Sequence, residues 1–167
     1  TGDYYVKELE TNVGFKLDEE EHDFTFNYDE DTTKATVIVP MELHNKKRRI
    51  ELDVNKVDKD HHDHFLNGAI FEVYDKTAKS YVTTLVSGQL MIVGNDANEE
   101  YEISKNEDFT KIIKTVKTDE NKQIILDIED GTYYSRKVGD DKVSKHVIKD
   151  GKAVLVDAIY GHEYEFK

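Results

Sequence analysis

The stretch Ile50-Glu51-Leu52-Asp53-Val54-Asn55-Lys56-Val57 alternates apolar and polar side chains. A period of two places Ile50, Leu52 and Val54 on one face of an extended chain, the signature of a strand buried on one side. The same alternation recurs on both sides of it. Candidate strands are Tyr4–Leu9, Asp23–Tyr28, Ala35–Asn45, Ile50–Val57, Ala69–Asp75, Ser80–Thr84, Gln89–Val93, Gln123–Ile128, Tyr133–Val138, Val143–Ile148, Ala153–Asp157 and Glu163–Phe166. Turn-forming pairs such as Asn95-Asp96, Asp130-Gly131 and Asp150-Gly151 separate them. Many short strands with turn punctuation favour an all-β sandwich over a parallel α/β sheet.

One segment departs from the pattern. Ser104-Lys105-Asn106-Glu107 reads as a capping box, and Phe109, Ile112, Ile113 and Val116 follow at helical spacing. The spacing predicts one short amphipathic helix inserted among the strands.

The composition narrows the function classes. The chain has 167 residues, with 36 acidic against 23 basic side chains and a formal charge of −13. Nucleic-acid binding runs on Lys and Arg neutralising phosphates, and docking to an anionic bilayer needs the same sign, so both are disfavoured. Ten Tyr and seven Phe argue against disorder despite 35% charged residues. With no cysteine there is no disulfide, thiolate metal site or cysteine nucleophile. No apolar run reaches membrane-spanning length, so targeting and anchoring segments of an exported parent are expected outside this stretch.

The basic run Lys46-Lys47-Arg48-Arg49 interrupts this acidic chain between two strand patterns and marks the expected module boundary, 1–48 and 49–167. A weak echo links Gly2-Asp3-Tyr4-Tyr5-Val6-Lys7 with Gly161-His162-Glu163-Tyr164-Glu165-Phe166-Lys167, as if the stretch opened and closed on the same element of successive modules.

Three polar residues fall in apolar phase at strand ends: Lys56 with Ile50, Leu52 and Val54; Asn45 with the odd positions from Ala35; and Glu8 with Tyr4 and Val6. These residues also carry a resemblance. Gly2-Asp3-Tyr4-Tyr5-Val6-Lys7-Glu8 followed by Gly14-Phe15 resembles the G-x-Y-x-V-K-E-x-x-A-P-x-G-Y signature that closes Cna B-type (SpaA-like) modules of Gram-positive adhesins and pilins. Lys56-Val57-Asp58 with Leu66-Asn67-Gly68-Ala69-Ile70-Phe71-Glu72-Val73-Tyr74-Asp75 resembles their opening signature, K-x-D…L-x-G-A-x-F-x-x-Y-D. Asn45 resembles the Asn of their last strand. About a third of the chain is covered; Asn12 and Phe15 replace the signature's Pro and final Tyr, and Pro40 interrupts a strand.

The resemblance implies an Ig-like, prealbumin-like (Cna B-type) sandwich, here with the inserted helix, and an autocatalytic Lys–Asn isopeptide cross-link. Carried over, the pair is Lys56 and Asn45, with Glu8 as the assisting acid that donates a proton and polarises the Asn carbonyl. Burial lowers a Lys pKa and frees a nucleophilic amine; it raises a Glu pKa and keeps the acid protonated beside a developing oxyanion. Chain order places Glu8 and Asn45 before Lys56, the reverse of a single module. A four-residue linker cannot join parallel neighbouring strands, so Asn45 and Lys56 are expected in consecutive modules or in different chains. On this reading residues 1–48 are the last strands of one module, and 49–167 are the next module without its last strands. Gly131-Thr132-Tyr133-Tyr134 is an internal decoy, because Lys137 stands where the acid belongs.

Asp58-Lys59-Asp60-His61-His62-Asp63-His64 is the most metal-like run, with Asp58, Asp60, His62 and His64 as weak candidate ligands, but it lacks the Gly and terminal Glu of a calcium loop. It reads as a solvated hairpin loop, and Asp29-Glu30-Asp31 as a turn. No nucleophile elbow, P-loop or dinucleotide fingerprint is present. The expected function is therefore a structural stalk module of a Gram-positive surface adhesin or pilus protein, extracellular and wall-anchored through other regions. It needs no cofactor, and its only chemistry is single-turnover cross-linking. Its partners are neighbouring modules, another copy by strand complementation, or a host matrix ligand, with neither nucleic acid nor membrane. The alternative is a sandwich that binds carbohydrate or matrix protein, with Tyr81, Tyr101 and Tyr160 as stacking candidates.

Overall fold

A computed structural model describes residues 2–26, 36 and 38–167. The chain divides into two compact units, Thr1–Arg48 and Arg49–Lys167. Among the described residues every regular element is a strand, and no helix is long and apolar enough to cross a membrane.

In the first unit, β1 (Gly2–Lys7) pairs antiparallel with β2 (Glu21–Phe26), with Tyr4 opposite Phe24 and their rings stacked at 5.7 Å. Such cross-strand aromatic pairs hold a small ribbon together. The end of the unit returns to its middle: the Arg48 N–H donates to the Gly14 carbonyl, and the Lys16 N–H to that of Lys46. The strand expected over Ala35–Asn45 is not formed at 38–45, where Val39, Met41 and Leu43 are exposed. Pro40 explains part of this, since it has no N–H for a ladder in mid-segment. Ala35 and Val37 lie outside the described residues, as does the Asp29-Glu30-Asp31 turn.

The second unit is built from four antiparallel sheets. β3 (Ile50–Asn55) pairs with β12 (Lys152–Ala158). β4 (Ile70–Asp75) lies between β5 (Ser80–Val86) and β13 (Tyr164–Phe166). β6 (Leu90–Val93) pairs with β9 (Gln123–Leu126). The fourth sheet runs β8 (Ile112–Lys117), β7 (Glu100–Ser104), β10 (Gly131–Lys137), β11 (Ser144–Ile148). Two cores result from sheets packed face to face, as in a sandwich. Leu90, Ile92 and Ile124 of the two-stranded β6–β9 sheet meet Ile103, Tyr133 and Ile148 of the four-stranded one. Val73 packs with Leu155 and Ala158, flanked by Ile50, Leu52, Leu85, Tyr164 and Phe166.

The inserted helix is absent. Glu100–Ser104 and Ile112–Lys117 are strands, joined by a loop and paired with a register shift at Ile103/Ser104. The Ser104 hydroxyl accepts from the Asn106 N–H at 3.2 Å, and Asn106 Oδ1 accepts from the Lys111 N–H at 3.0 Å. Residues that cap helices also close turns, because the same short polar side chain reaches a backbone N–H two to five positions on. Ile112, Ile113, Thr115 and Val116 are β-branched, which favours the extended state once a neighbouring strand is there to pair.

Candidate functional site

Glu8 lies immediately past β1, and its carboxylate organises the loop side of the first unit. Oε1 accepts from Asn45 Nδ2 at 2.6 Å, while Oε2 accepts from the Asp18 N–H at 2.8 Å. Asn45 Nδ2 also donates to Thr11 Oγ1 at 2.5 Å. Asp18 in turn is bonded to His22 Nε2 at 2.7 Å and to the Glu20 N–H. These groups border a cavity of about 580 Å³ lined by Glu8, Glu10, Thr11, Phe15, Asp18 and Asn45. The structure thus brings together Glu8 and Asn45, which are far apart in sequence, and adds Thr11 and Asp18, which no sequence pattern marks.

The direction of the Glu8 pKa differs from the raised value expected of a buried acid. Glu8 is only partly buried, and the Asp18 N–H, then the Asn45 amide, hold its carboxyl below the ordinary carboxylate range; desolvation opposes them and is outweighed. The resting group is a carboxylate, a proton acceptor placed against the Asn45 carboxamide.

Lys56 belongs to the second unit, one residue beyond β3. Ile50, Leu52 and Val54 are partly buried in the expected phase, but the Lys56 side chain is exposed. Its backbone enters a dense set of hydrogen bonds. The Lys56 N–H donates to the Gly151 carbonyl at 2.7 Å, and the Leu66 N–H donates to the Lys56 carbonyl at 2.9 Å. Ser87, fully buried, donates its hydroxyl to the Leu66 carbonyl at 2.8 Å and accepts from the Ala69 N–H at 3.0 Å. Asn67 Oδ1 accepts from the Gly151 N–H at 2.7 Å. Gly88 adopts a φ of 67°, and a Cβ there would fall 1.9 Å from Asn67 Oδ1, so only glycine fits. The Leu66–Ala69 motif therefore ties the β5–β6 turn to the β11–β12 turn.

A Ser87→Ala variant removes two buried hydrogen bonds and leaves the Leu66 carbonyl without its donor. Its expected cost is about 1–2 kcal/mol in chemical denaturation; a loss below measurement error would show that the remaining backbone and Asn67 hydrogen bonds hold the turns without the hydroxyl.

The Asp58–His64 run forms a closed loop. Val57 bridges Phe65, the Asp58 N–H donates to the His64 carbonyl, and Asp58 Oδ1 accepts from the Asp60 and His61 N–H groups. The Asp58 carboxylate is thereby engaged with its own turn, and His62 Nε2 lies 2.9 Å from the Lys59 carbonyl. Asp60 and His64 are exposed, and among the described residues no three His, Asp or Glu side chains group as metal ligands would. Tyr81 and Tyr160 are exposed, whereas Tyr101 packs against the first core. Lys137, at the decoy position, is bonded to Glu99 Oε1 at 2.5 Å.

No protein-family model matches the chain, and no curated protein does. Among solved structures it is similar to the Bacillus anthracis TIE protein, at 18% identity and a TM-score of 0.41, over 96% of this chain but only 40% of that one.

Proposed function

We propose that the chain is a stalk segment of a Gram-positive cell-surface adhesin or pilus protein, built of Ig-like, prealbumin-like (Cna B-type) modules and able to form a Lys–Asn isopeptide bond. It is extracellular, is anchored to the wall through other regions, and works by self-assembly rather than turnover. The observation that carries this reading is the 2.6 Å contact between the Glu8 carboxylate and the Asn45 carboxamide. The two signatures around Gly2–Glu8 and Lys56–Asp75 support it as well.

The ionised state of Glu8 gives the chemistry a definite order. A lysine ammonium entering the site pairs with the carboxylate and transfers a proton to it, giving a neutral amine and a protonated acid. The amine nitrogen attacks Asn45 Cγ, and the Glu8 carboxyl, which faces Asn45 Nδ2, relays a proton from the attacking to the departing nitrogen. The C–N bond to the carboxamide nitrogen breaks; ammonia leaves, taking up the proton released by the new amide. Asn45 and Lys56 lie in different units, so the lysine is that of another module or of a second copy.

The purified chain tests this directly. Mixed copies should give a non-reducible ladder on a denaturing gel, each junction lighter by one ammonia in intact-mass analysis. Lys56→Ala, Asn45→Ala and Glu8→Gln should each return the monomer. A single band of full monomer mass, or a ladder that survives Lys56→Ala, would overturn the assignment.

A further inference from the structure

The second unit contains a cleft of about 640 Å³, within the roughly 300–1,000 Å³ typical of small-ligand pockets. It opens where two hairpins splay. β5 and β6 meet at the Val86–Gln89 bridge and then part, β5 to pair with β4 and β6 with β9. β11 and β12 meet at a turn closed by the Lys152 N–H on the Lys149 carbonyl and likewise part, to β10 and to β3. The hydrogen bonds of Ser87, Asn67 and Gly151 tie these two turns together. The cleft is thus preformed by the fold.

Its walls are chemically selective. Ser135, buried on β10, shares a 2.8 Å hydrogen bond with His146 Nε2 of β11. Burial brings the imidazole down to about 4, so it is neutral at physiological pH. Its Nδ1 takes no protein partner among the described residues and is left to bond a ligand. Ser144 and Tyr101 add hydroxyls, and Met91 and Val156 add apolar surface. The cations along the wall are already matched: Lys137 by Glu99 at 2.5 Å, Arg136 by Glu102 at 2.7 Å, and Lys145 by Glu51 at 3.2 Å. Lys142 is the exception: Asp140 accepts from its backbone N–H, and its ammonium takes no ion-pair partner among the described residues, so it stands as a single unmatched cation. A multivalent anion therefore meets no free cluster of positive charge. An acyl chain meets aliphatic side chains interrupted by hydroxyls and an imidazole rather than a continuous apolar channel.

We propose that this cleft binds a neutral polyhydroxylated ligand, a carbohydrate of two or three sugar units, with its hydroxyls on His146, Ser144 and Ser135 and its C–H faces on Met91 and Val156. This goes beyond the stalk function and does not depend on it; only Tyr101 of the three tyrosines singled out in the sequence borders the cleft.

The test is saturation-transfer NMR and calorimetry on the whole chain with maltotriose, cellotriose and triacetylchitotriose. At least one should bind, and binding should weaken about tenfold or more in Ser144→Trp, which fills the cleft from an exposed position, and in His146→Phe, which removes the imidazole. Both are read above pH 7 with folding confirmed by circular dichroism, and either one that folds suffices. Absence of binding by all three sugars at about 10 mM overturns the proposal. So does affinity unchanged in the folded variants, or stronger binding of glucose 6-phosphate or decanoate than of the neutral sugars.

Discussion

Tyr133→Ala is expected to cost the second unit about 3–5 kcal/mol, read as a lowered urea midpoint with an unchanged slope. Tyr133 is 2% exposed and is the largest fully buried side chain. Its ring closes the core formed by Leu90, Ile92, Ile103, Ile124 and Ile148. Its hydroxyl donates to the Glu129 carbonyl at 2.7 Å and accepts from Lys105 Nζ at 3.0 Å, and the same ammonium lies 4.2 Å from the ring centroid. Truncation removes all three interactions and leaves a cavity that strands paired on both sides cannot collapse around. Tyr133→Phe separates the contributions: it keeps the ring and should cost about 1–2 kcal/mol for the lost hydroxyl. Domains of this size have only about 5–15 kcal/mol in total, so the alanine variant should be close to unfolding at physiological temperature. Equal and small costs for the two variants would show that the ring does not bear on this core.

Much of this architecture was legible because a strand buried on one face writes itself into the sequence with a period of two. Ile50–Asn55, Ile70–Asp75 and Gly131–Lys137 lie within a residue or two of where alternation placed them. The failures have physical causes. Ser104 and Asn106 offer the side-chain chemistry of a helix cap, and that chemistry serves a turn equally well; only pairing with β7 decides that Ile112–Lys117 is extended. The Ala35–Asn45 pattern carried Pro40 in mid-strand, and the donor it lacks outweighs the alternation at 38–45. Glu8 and Asn45 stood out by phase and by resemblance, but Asp18 could not, since it acts on Glu8 through its backbone N–H, a group every residue but proline carries. Ser135 and His146 were equally invisible. They are diagonal neighbours only because Tyr133 faces His146 and Ser135 faces Ser144 in the β10–β11 register, which alternation alone does not set.

That register has a consequence in acid. His146 is held neutral by burial, with its pKa lowered from 6.5 to about 4. Between those values the unfolded chain binds a proton that the folded chain refuses, so folding stability falls as pH decreases through this window. The full shift corresponds to about 3 kcal/mol, lost progressively from pH 6.5 downward and complete below about 4. The carboxylates act in a lower range. Asp75 and Glu99 are held below their ordinary values, Asp75 first by the Ala78 N–H and Glu99 first by Lys137, so what they contribute is lost only as pH falls further, toward their folded pKa values. The two ranges separate in a His146→Gln variant, whose amide can still bond Ser135 but does not titrate. Its stability relative to wild type should be near zero or slightly negative at pH 7.5 and should rise as pH drops, favouring the variant by about 1–2 kcal/mol at pH 5. Urea midpoints for both proteins across this range measure the difference directly, since the other histidines and carboxylates are common to both and cancel. A difference that stays constant from pH 7.5 to 4 would mean that the imidazole takes up its proton as readily in the folded unit as in the unfolded chain, and that Ser135 and the cleft wall do not desolvate it.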